Sequence, residues 1–126
     1  MNRDDLVQEI GALLIRDPQI SAQPWEHLVL VAHVTRTSTK VSGFAYTASG
    51  EPIPTGPRNL DVLDKLEELR TAMCDPGQQP WKACLVRINR STSKIVIDFE
   101  YDHPDKWVIT PATIERMAEV LRPTRQ

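Results

Sequence analysis

The chain has 126 residues, of which 40% are hydrophobic and 25% charged, and its net charge at pH 7 is −2. This composition is typical of one globular domain and argues against a disordered chain. The slight acidic excess argues against general nucleic-acid binding, which needs a basic surface. No apolar run approaches the ~20 residues that cross a bilayer, and the first residues do not follow the pattern of a secretory signal. We therefore expect a cytoplasmic protein with a single domain, residues 1–126.

The first half of the chain predicts one helix, two strands and a loop. Apolar residues recur at helical spacing over residues 3–16, and Pro18 ends this helix because the residue before a proline disfavours helical geometry. Residues 25–36 carry apolar side chains on both faces, which is typical of a strand covered on both sides. Residues 40–48 predict a returning strand, and the prolines and glycines of residues 49–58 predict a loop.

Two helices are predicted in the second half. Asn59 is the expected N-cap of a helix over residues 60–74. Thr110 and Pro111 suit the N-cap and first position of a last helix, which Pro123 ends.

Between these helices the sequence predicts a β-hairpin of residues 81–90 and 94–101. One register places all the apolar residues on one face, and a slip by one residue would destroy this match. The expected partners are Ile88 with Ile95, Val86 with Ile97, and Cys84 with Phe99. The element order α-β-β-α-β-β-α then predicts an α+β fold, with helices packed on a four-stranded antiparallel sheet.

The same register predicts an acidic strip, Asp98 and Glu100, on the opposite face of the hairpin. These side chains lie two residues apart on one strand, about 7 Å, and Asp102 and Asp105 follow just beyond. Three interpretations are open. The strip is a solvated surface with Arg87 as a diagonal partner, a recognition surface for a basic partner, or a catalytic pair of carboxylates.

Other candidate contact residues lie outside the strip. Trp107 follows a polar segment and is expected to anchor a partner, because tryptophan is enriched at interface hot spots. Trp25 and Trp81 are instead expected to cap the core. The middle helix carries a second, less favoured acidic patch, formed by Asp61, Asp64 and Glu68.

The sequence does not predict a metal site, a cofactor site or a catalytic nucleophile. His27 and His33 share a strand face but are six residues apart, about 20 Å, so they cannot bind the same ion. Cys74 and Cys84 do not form the paired motif of a zinc site and are expected to be buried, reduced thiols. No glycine-rich phosphate loop and no nucleophile elbow is present in the sequence. We therefore expect a protein that is not an enzyme and has no cofactor.

Two blocks of sequence carry a family pattern. The first is Pro24-Trp25-Glu26 before Val29-Leu30-Val31-Ala32 and Phe44-Ala45-Tyr46; the second is Pro80-Trp81 followed by Lys94-Ile95-Val96-Ile97-Asp98-Phe99-Glu100-Tyr101-Asp102. Together they resemble the YezG-like antitoxin and immunity proteins of bacteria, which share an α+β organisation with two hairpins. The resemblance covers residues 24–102. Residues 50–75 match only in pattern, and the segment after Asp102 departs from the family.

The resemblance implies a function in binding. Such proteins neutralise polymorphic toxins delivered by neighbouring cells, as in contact-dependent growth inhibition, and the toxin is often a nuclease domain. Nucleases bind nucleic acid and tend to be basic around the active site, so the acidic strip would serve as a counter-surface. We expect a monomer that forms a 1:1 complex with its toxin. The alternatives are a small cytoplasmic enzyme that uses Asp98 and Glu100, and an adaptor whose partner is not toxic.

Overall fold

The computed structural model describes residues 3–35, 37–74 and 76–123. Within them one antiparallel sheet has five strands in the order β3-β2-β1-β4-β5. The elements in chain order are α1 (Arg3–Arg16), α2 (Pro18–Ser21), β1 (His27–Val34), β2 (Thr39–Tyr46), β3 (Pro52–Thr55), α3 (Asp61–Met73), β4 (Ala83–Asn89), β5 (Lys94–Glu100) and α4 (Ile114–Val120). A short 3-10 segment, Pro104–Trp107, lies between β5 and α4.

The predicted α+β class and antiparallel sheet are confirmed, but the predicted strand number of four and the predicted element order are wrong, because the sequence did not predict α2 or β3. The extra strand is β3, in a segment that its prolines predicted to be a loop. It pairs with β2 through Ala45 and Ile53, among other partners, and forms one edge of the sheet. Proline has no N–H group to donate. Pro52 and Pro54 are tolerated in β3 because half of the N–H groups of an edge strand point away from the sheet and make no bond to another strand.

The predicted helix and strand boundaries agree with the structure to within a few residues, except at the last helix. The last predicted residue of the first strand, Arg36, lies outside the described residues. The predicted N-cap is wrong: Leu60 holds the N-cap position of α3 without a side-chain bond, and Asn59, one residue earlier, accepts a hydrogen bond from the Asp61 N–H (3.0 Å). The last helix begins at Ile114 and not at Pro111, because the Thr113 hydroxyl bonds the Thr110 N–H (2.9 Å) and holds the intervening residues in turns.

The hairpin of β4 and β5 has the predicted register. Ile88 lies opposite Ile95, and Val86 lies opposite Ile97. The turn is held by Asn89, whose side-chain oxygen accepts the N–H groups of residues 91 and 92 at 3.0 and 3.3 Å. The apolar residues of β5 therefore face the same side of the sheet as those of β4.

On this first face, α1, α2 and α3 pack against the sheet and form the larger hydrophobic core. Trp25 and Trp81 are both buried in it, as predicted. The Trp25 indole N–H donates to the Ile20 carbonyl (3.1 Å), and the Trp81 ring packs against Phe99 with 5.3 Å between ring centroids. The core residues contributed by the strands are Leu28, Leu30, Ala32, Val34, Ala45, Cys84, Val86 and Ile88.

The second face of the sheet carries a separate, smaller core. The 3-10 segment and α4 cover Val29 and Val31 of β1 there, so β1 is covered on both sides as predicted. The Tyr46 hydroxyl donates to the Ala118 carbonyl (2.7 Å) and ties α4 to β2. The strands also approach closely at Gly43, where a Cβ atom would lie 2.0 Å from the Val29 carbonyl oxygen, so only glycine fits.

Asp17 is a buried carboxylate that joins two parts of the helical layer. One of its oxygens accepts the N–H groups of Gln19 (3.0 Å) and Ile20 (3.4 Å) and caps α2. The other accepts the N–H groups of Arg58 (2.8 Å) and Asn59 (2.7 Å), just before α3. Its side chain is almost fully buried, at 1% exposure. Asp17 therefore fixes the start of α3 relative to the end of α1.

We expect Asp17→Ala to lower the free energy of unfolding by about 3 kcal/mol, because charge-assisted hydrogen bonds are lost and buried N–H groups stay unpaired. Asp17→Asn keeps the shape of the side chain and replaces one acceptor with a donor. Its free energy of unfolding should therefore fall by less than that of Asp17→Ala. Urea titration followed by circular dichroism measures both. An alanine variant as stable as the parent protein would contradict this role.

The buried Tyr46 hydroxyl and Cys84 thiol should make the stability of the fold fall at high pH. Burial raises the pKa of Tyr46 to about 12 and the pKa of the Cys84 thiol to about 12. The unfolded chain loses these protons first, since its values are near 10 and 9. Their contribution to stability is therefore complete below about pH 9 and is lost as the pH rises towards 12.

The test compares Tyr46→Phe with Tyr101→Phe, which alters an exposed tyrosine. The first variant should be about 1 kcal/mol less stable at neutral pH, because it loses the bond to Ala118, and its stability should fall less steeply between pH 10 and 12. The second should follow the parent protein at every pH. Equal slopes for all three proteins would rule out Tyr46 as a cause.

Candidate functional site

The acidic strip lies on the second face of the sheet, at its uncovered end. The 3-10 segment and α4 pack over β1, β2 and β4, and they leave much of β5 open. Val96, the third residue of β5, is 42% exposed. Asp98 and Glu100 follow on the same face and are partly exposed. The position predicted for the strip is therefore the one that the structure gives.

Asp98 forms a close ion pair with Arg87 of the neighbouring strand. Arg87 lies opposite Val96 in the register, so it reaches Asp98 diagonally, as expected for the solvated interpretation. Both side chains are about half exposed. An exposed pair of this kind contributes at most about 1 kcal/mol to stability, but it offsets the negative charge of Asp98 locally.

Glu100 also has a cation beside it. The Lys106 ammonium lies 3.8 Å from one carboxylate oxygen, and the other oxygen accepts the Tyr101 N–H (3.2 Å). Lys106 comes from the 3-10 segment, which turns back over the second face. Each carboxylate of the strip thus lies beside a cation of the same chain. The two carboxylates differ in exposure, since the Asp98 side chain is 47% exposed and the Glu100 side chain 19%.

Asp102 and Asp105 lie beyond the strand and are exposed. The segment that carries them is held to β1, because the His33 ring N–H donates to the Pro104 carbonyl (2.8 Å). Asp105 lies in the first turn of the 3-10 segment. Both carboxylates therefore project from a fixed part of the surface and remain candidates for contact with a partner.

Trp107 has a different position from the one predicted. Its side chain is only 8% exposed and packs in the second core with Met117 and Leu121. The polar residues before it suggested an exposed anchor, but the apolar run that follows, Val108 and Ile109, indicates a segment that covers the sheet. We correct the prediction: Trp107 is a core residue, and little of its ring is accessible to a partner.

A second acidic surface lies on α3. We define the α3 acidic face as Asp61, Asp64, Glu67 and Glu68, which are all exposed. In the part of the chain that the structure describes, Asp61, Asp64 and Glu67 have no cationic side chain within ion-pair distance. Asp61 and Asp64 belong to the second patch of the sequence prediction, and Glu67 was missed. Its spacing of three residues from Asp64 is the signal that could have identified it.

The two cations of α3 are engaged within the protein. The Lys65 ammonium pairs with Glu68 (3.1 Å) and with Glu9 of α1 (3.4 Å). The hydrogen bond to Glu68 is the main cause of a raised pKa for Lys65. Arg70 donates to the Trp81 carbonyl (2.8 Å) and so points towards the sheet. Together α1 and α3 hold seven acidic and four basic residues, which makes this layer more acidic than the rest of the chain.

No group of three or more possible metal ligands gathers anywhere in residues 3–35, 37–74 and 76–123. His27 and His33 lie at opposite ends of β1. Cys84 is buried as expected, whereas Cys74 is only half-buried. None of the helices in this described part is long and apolar enough to cross a membrane.

Comparison with known proteins gives no family. No family model matches the chain, and no curated protein matches it significantly. The resemblance to the YezG-like proteins therefore stays a prediction from the two blocks of sequence.

A substitution at Trp107 tests its reassignment to the core. We expect Trp107→Ala to lower the free energy of unfolding by about 3 kcal/mol, because a large buried side chain is removed and a cavity remains. Val96→Ala, at an exposed position of β5, should change stability by less than about 1 kcal/mol. Thermal and urea denaturation measure both. A Trp107→Ala protein of unchanged stability would restore the view of an exposed anchor.

Proposed function

We propose that the protein is an immunity protein, which binds and neutralises a secreted toxin with a nuclease domain. The observation that carries the proposal is the α3 acidic face, where three exposed carboxylates have no compensating cation among the described residues. The sequence resemblance to antitoxin and immunity proteins points to the same kind of activity. Binding, and not catalysis, is the proposed action.

Charge complementarity is the physical basis of this proposal. A nuclease presents basic groups to the phosphates of its substrate, so an acidic protein surface can compete for the same groups. Opposite charges mainly accelerate encounter and reject wrong partners, and they add less to affinity itself. Rapid capture suits a protein that must stop a toxin before the toxin reaches its substrate.

The α3 acidic face is a better candidate for this contact than the acidic strip. Asp98 and Glu100 already lie beside Arg87 and Lys106, so a basic partner would have to displace these cations. No such displacement is needed at Asp61 or Asp64. Asp102 and Asp105 are exposed and provide a second, smaller surface on the opposite side of the sheet.

The first experiment is co-expression with the protein encoded immediately upstream. We expect the two chains to purify as a stable complex, and we expect this chain to restore growth when the upstream protein is toxic. A complex without any effect on growth would favour an adaptor with a non-toxic partner. A folded protein that neither binds nor protects would rule out the immunity function for this pair.

Two sets of substitutions identify the contact surface in that complex. Asp61→Asn, Asp64→Asn and Glu67→Gln together should lower the association rate on the order of tenfold and make it less sensitive to salt. Asp102→Asn with Asp105→Asn is the control on the other exposed surface and should have a much smaller effect. Surface plasmon resonance at two salt concentrations measures the rates. If only the control set slows association, the contact lies on the second face of the sheet.

A further inference from the structure

The two edges of the sheet are protected to very different degrees. β3 is four residues long and contains two prolines, which makes it a poor template for another strand. β5 has seven residues and no proline, and it is the last strand of the sheet on its side. Along its outer edge, backbone N–H and C=O groups are available for pairing.

The sequence of β5 is complementary to itself in the antiparallel direction. When Ile97 lies opposite Ile97 of a second copy, Lys94 lies opposite Glu100, Ile95 opposite Phe99, and Val96 opposite Asp98. Lys94 of each copy then lies opposite Glu100 of the other as a second cation, beside Lys106 of the same chain as Glu100, whose ammonium is 3.8 Å from Glu100. Apolar side chains meet on the first face. We propose that β5 pairs with β5 of a second copy in this register, which joins the two sheets into one of ten strands.

Side-chain burial on the first face agrees with this arrangement. Ile95, Ile97 and Phe99 are only partly buried against the larger core, since β5 has no strand beyond it. Ala12 and Ile15 of α1 line a shallow groove beside Ile95 and are also half-buried. Pairing would extend this apolar strip across the two copies and remove it from water.

Charged residues on an edge strand usually deter pairing, but here their order selects one register. Centring the pair on Asp98 would place two carboxylates opposite each other. Centring it on Val96 would oppose Lys94 and Asp98, but it would also set Phe99 opposite the polar Ser93. The register centred on Ile97 opposes no like charges and keeps every residue of β5 paired.

This association is independent of the proposed function. The strands that α3 contacts most are β1 and β2, so the α3 acidic face lies away from the β5 edge. In this proposal each copy binds its own partner, so two chains bind two partners, in contrast to the monomer in a 1:1 complex that the sequence predicts. The pairing is tested on the isolated protein, without any toxin.

The main test is a charge swap followed by sedimentation equilibrium over a concentration series. We expect the parent protein to dimerise. Lys94→Glu or Glu100→Lys alone should weaken the dimer by about tenfold or more, because two symmetry-related pairs change from attraction to repulsion. The double variant should dimerise again. Lys94 and Glu100 are about 20 Å apart within one strand, so this rescue can act only between chains.

Three results would overturn the proposal. They are a parent protein that stays monomeric throughout the series, single variants that dimerise like the parent, and a folded double variant that does not recover. Lys40→Glu is the matched control, because Lys40 is an exposed strand residue of β2, away from this edge, and its reversal should leave dimerisation unchanged.

Disulfide trapping determines the register. In a Cys74→Ser background, Ile97→Cys should form an intermolecular disulfide under mild oxidation, because the two copies of residue 97 face each other at the separation of paired strands. Val96→Cys should cross-link poorly, since it would face Asp98. Preferential cross-linking of Val96→Cys would show the shifted register and contradict the proposed one.

Discussion

β1 lies at the centre of the sheet with apolar side chains on both of its faces, and this constraint organises the rest of the molecule. Leu28 and Leu30 point to one side, and Val29 and Val31 point to the other. The chain must therefore provide two covers. The N-terminal part and α3 supply the larger one, and the residues after β5 return across the sheet to supply the smaller one.

The two covers differ in size, and this difference sets which surfaces remain open. On the first face, α1 and α3 extend from β2 to β5. On the second face, α4 has only seven residues and leaves β5 partly exposed. The acidic strip occupies this uncovered part. It is accessible because the second cover is short, and its charges are offset because Arg87 and Lys106 come from the elements that flank it.

A few polar contacts hold these covers to the sheet. Asp17 links α2 to the segment before α3 through four backbone N–H groups. On the second face, Arg122 at the end of α4 bonds the Gly50 carbonyl and pairs with Glu119 (2.8 Å), near the hydrogen bond from Tyr46. Each contact lies where a helix begins or ends, so it fixes the position of a whole element and not only of one side chain.

The sequence predicted the features that depend on local alternation and failed where distant residues decide. The register of β4 and β5 follows from apolar alternation, and the diagonal position of Arg87 follows from that register. β3 was missed because its prolines are typical of a loop, and its pairing with β2 depends on residues outside the segment. Lys106 reaches Glu100 only because the 3-10 segment folds back, and the same fold-back buries Trp107. The role of Asp17 depends on a segment 41 residues away, beyond any local pattern.

The charged residues of β5 and those of α3 have different local partners, and we expect them to act differently. On β5, Lys94 lies at one end and Asp98 and Glu100 lie towards the other, along an edge with no further strand, so these charges influence which strand can pair there and in which register. On α3, Lys65 pairs with Glu68 and Glu9, and Arg70 bonds the Trp81 carbonyl. Asp61, Asp64 and Glu67 are left facing water. Holding the cations inward costs side-chain entropy without adding much stability at the surface. It leaves a negative field on one helix, which long-range attraction of a basic partner requires.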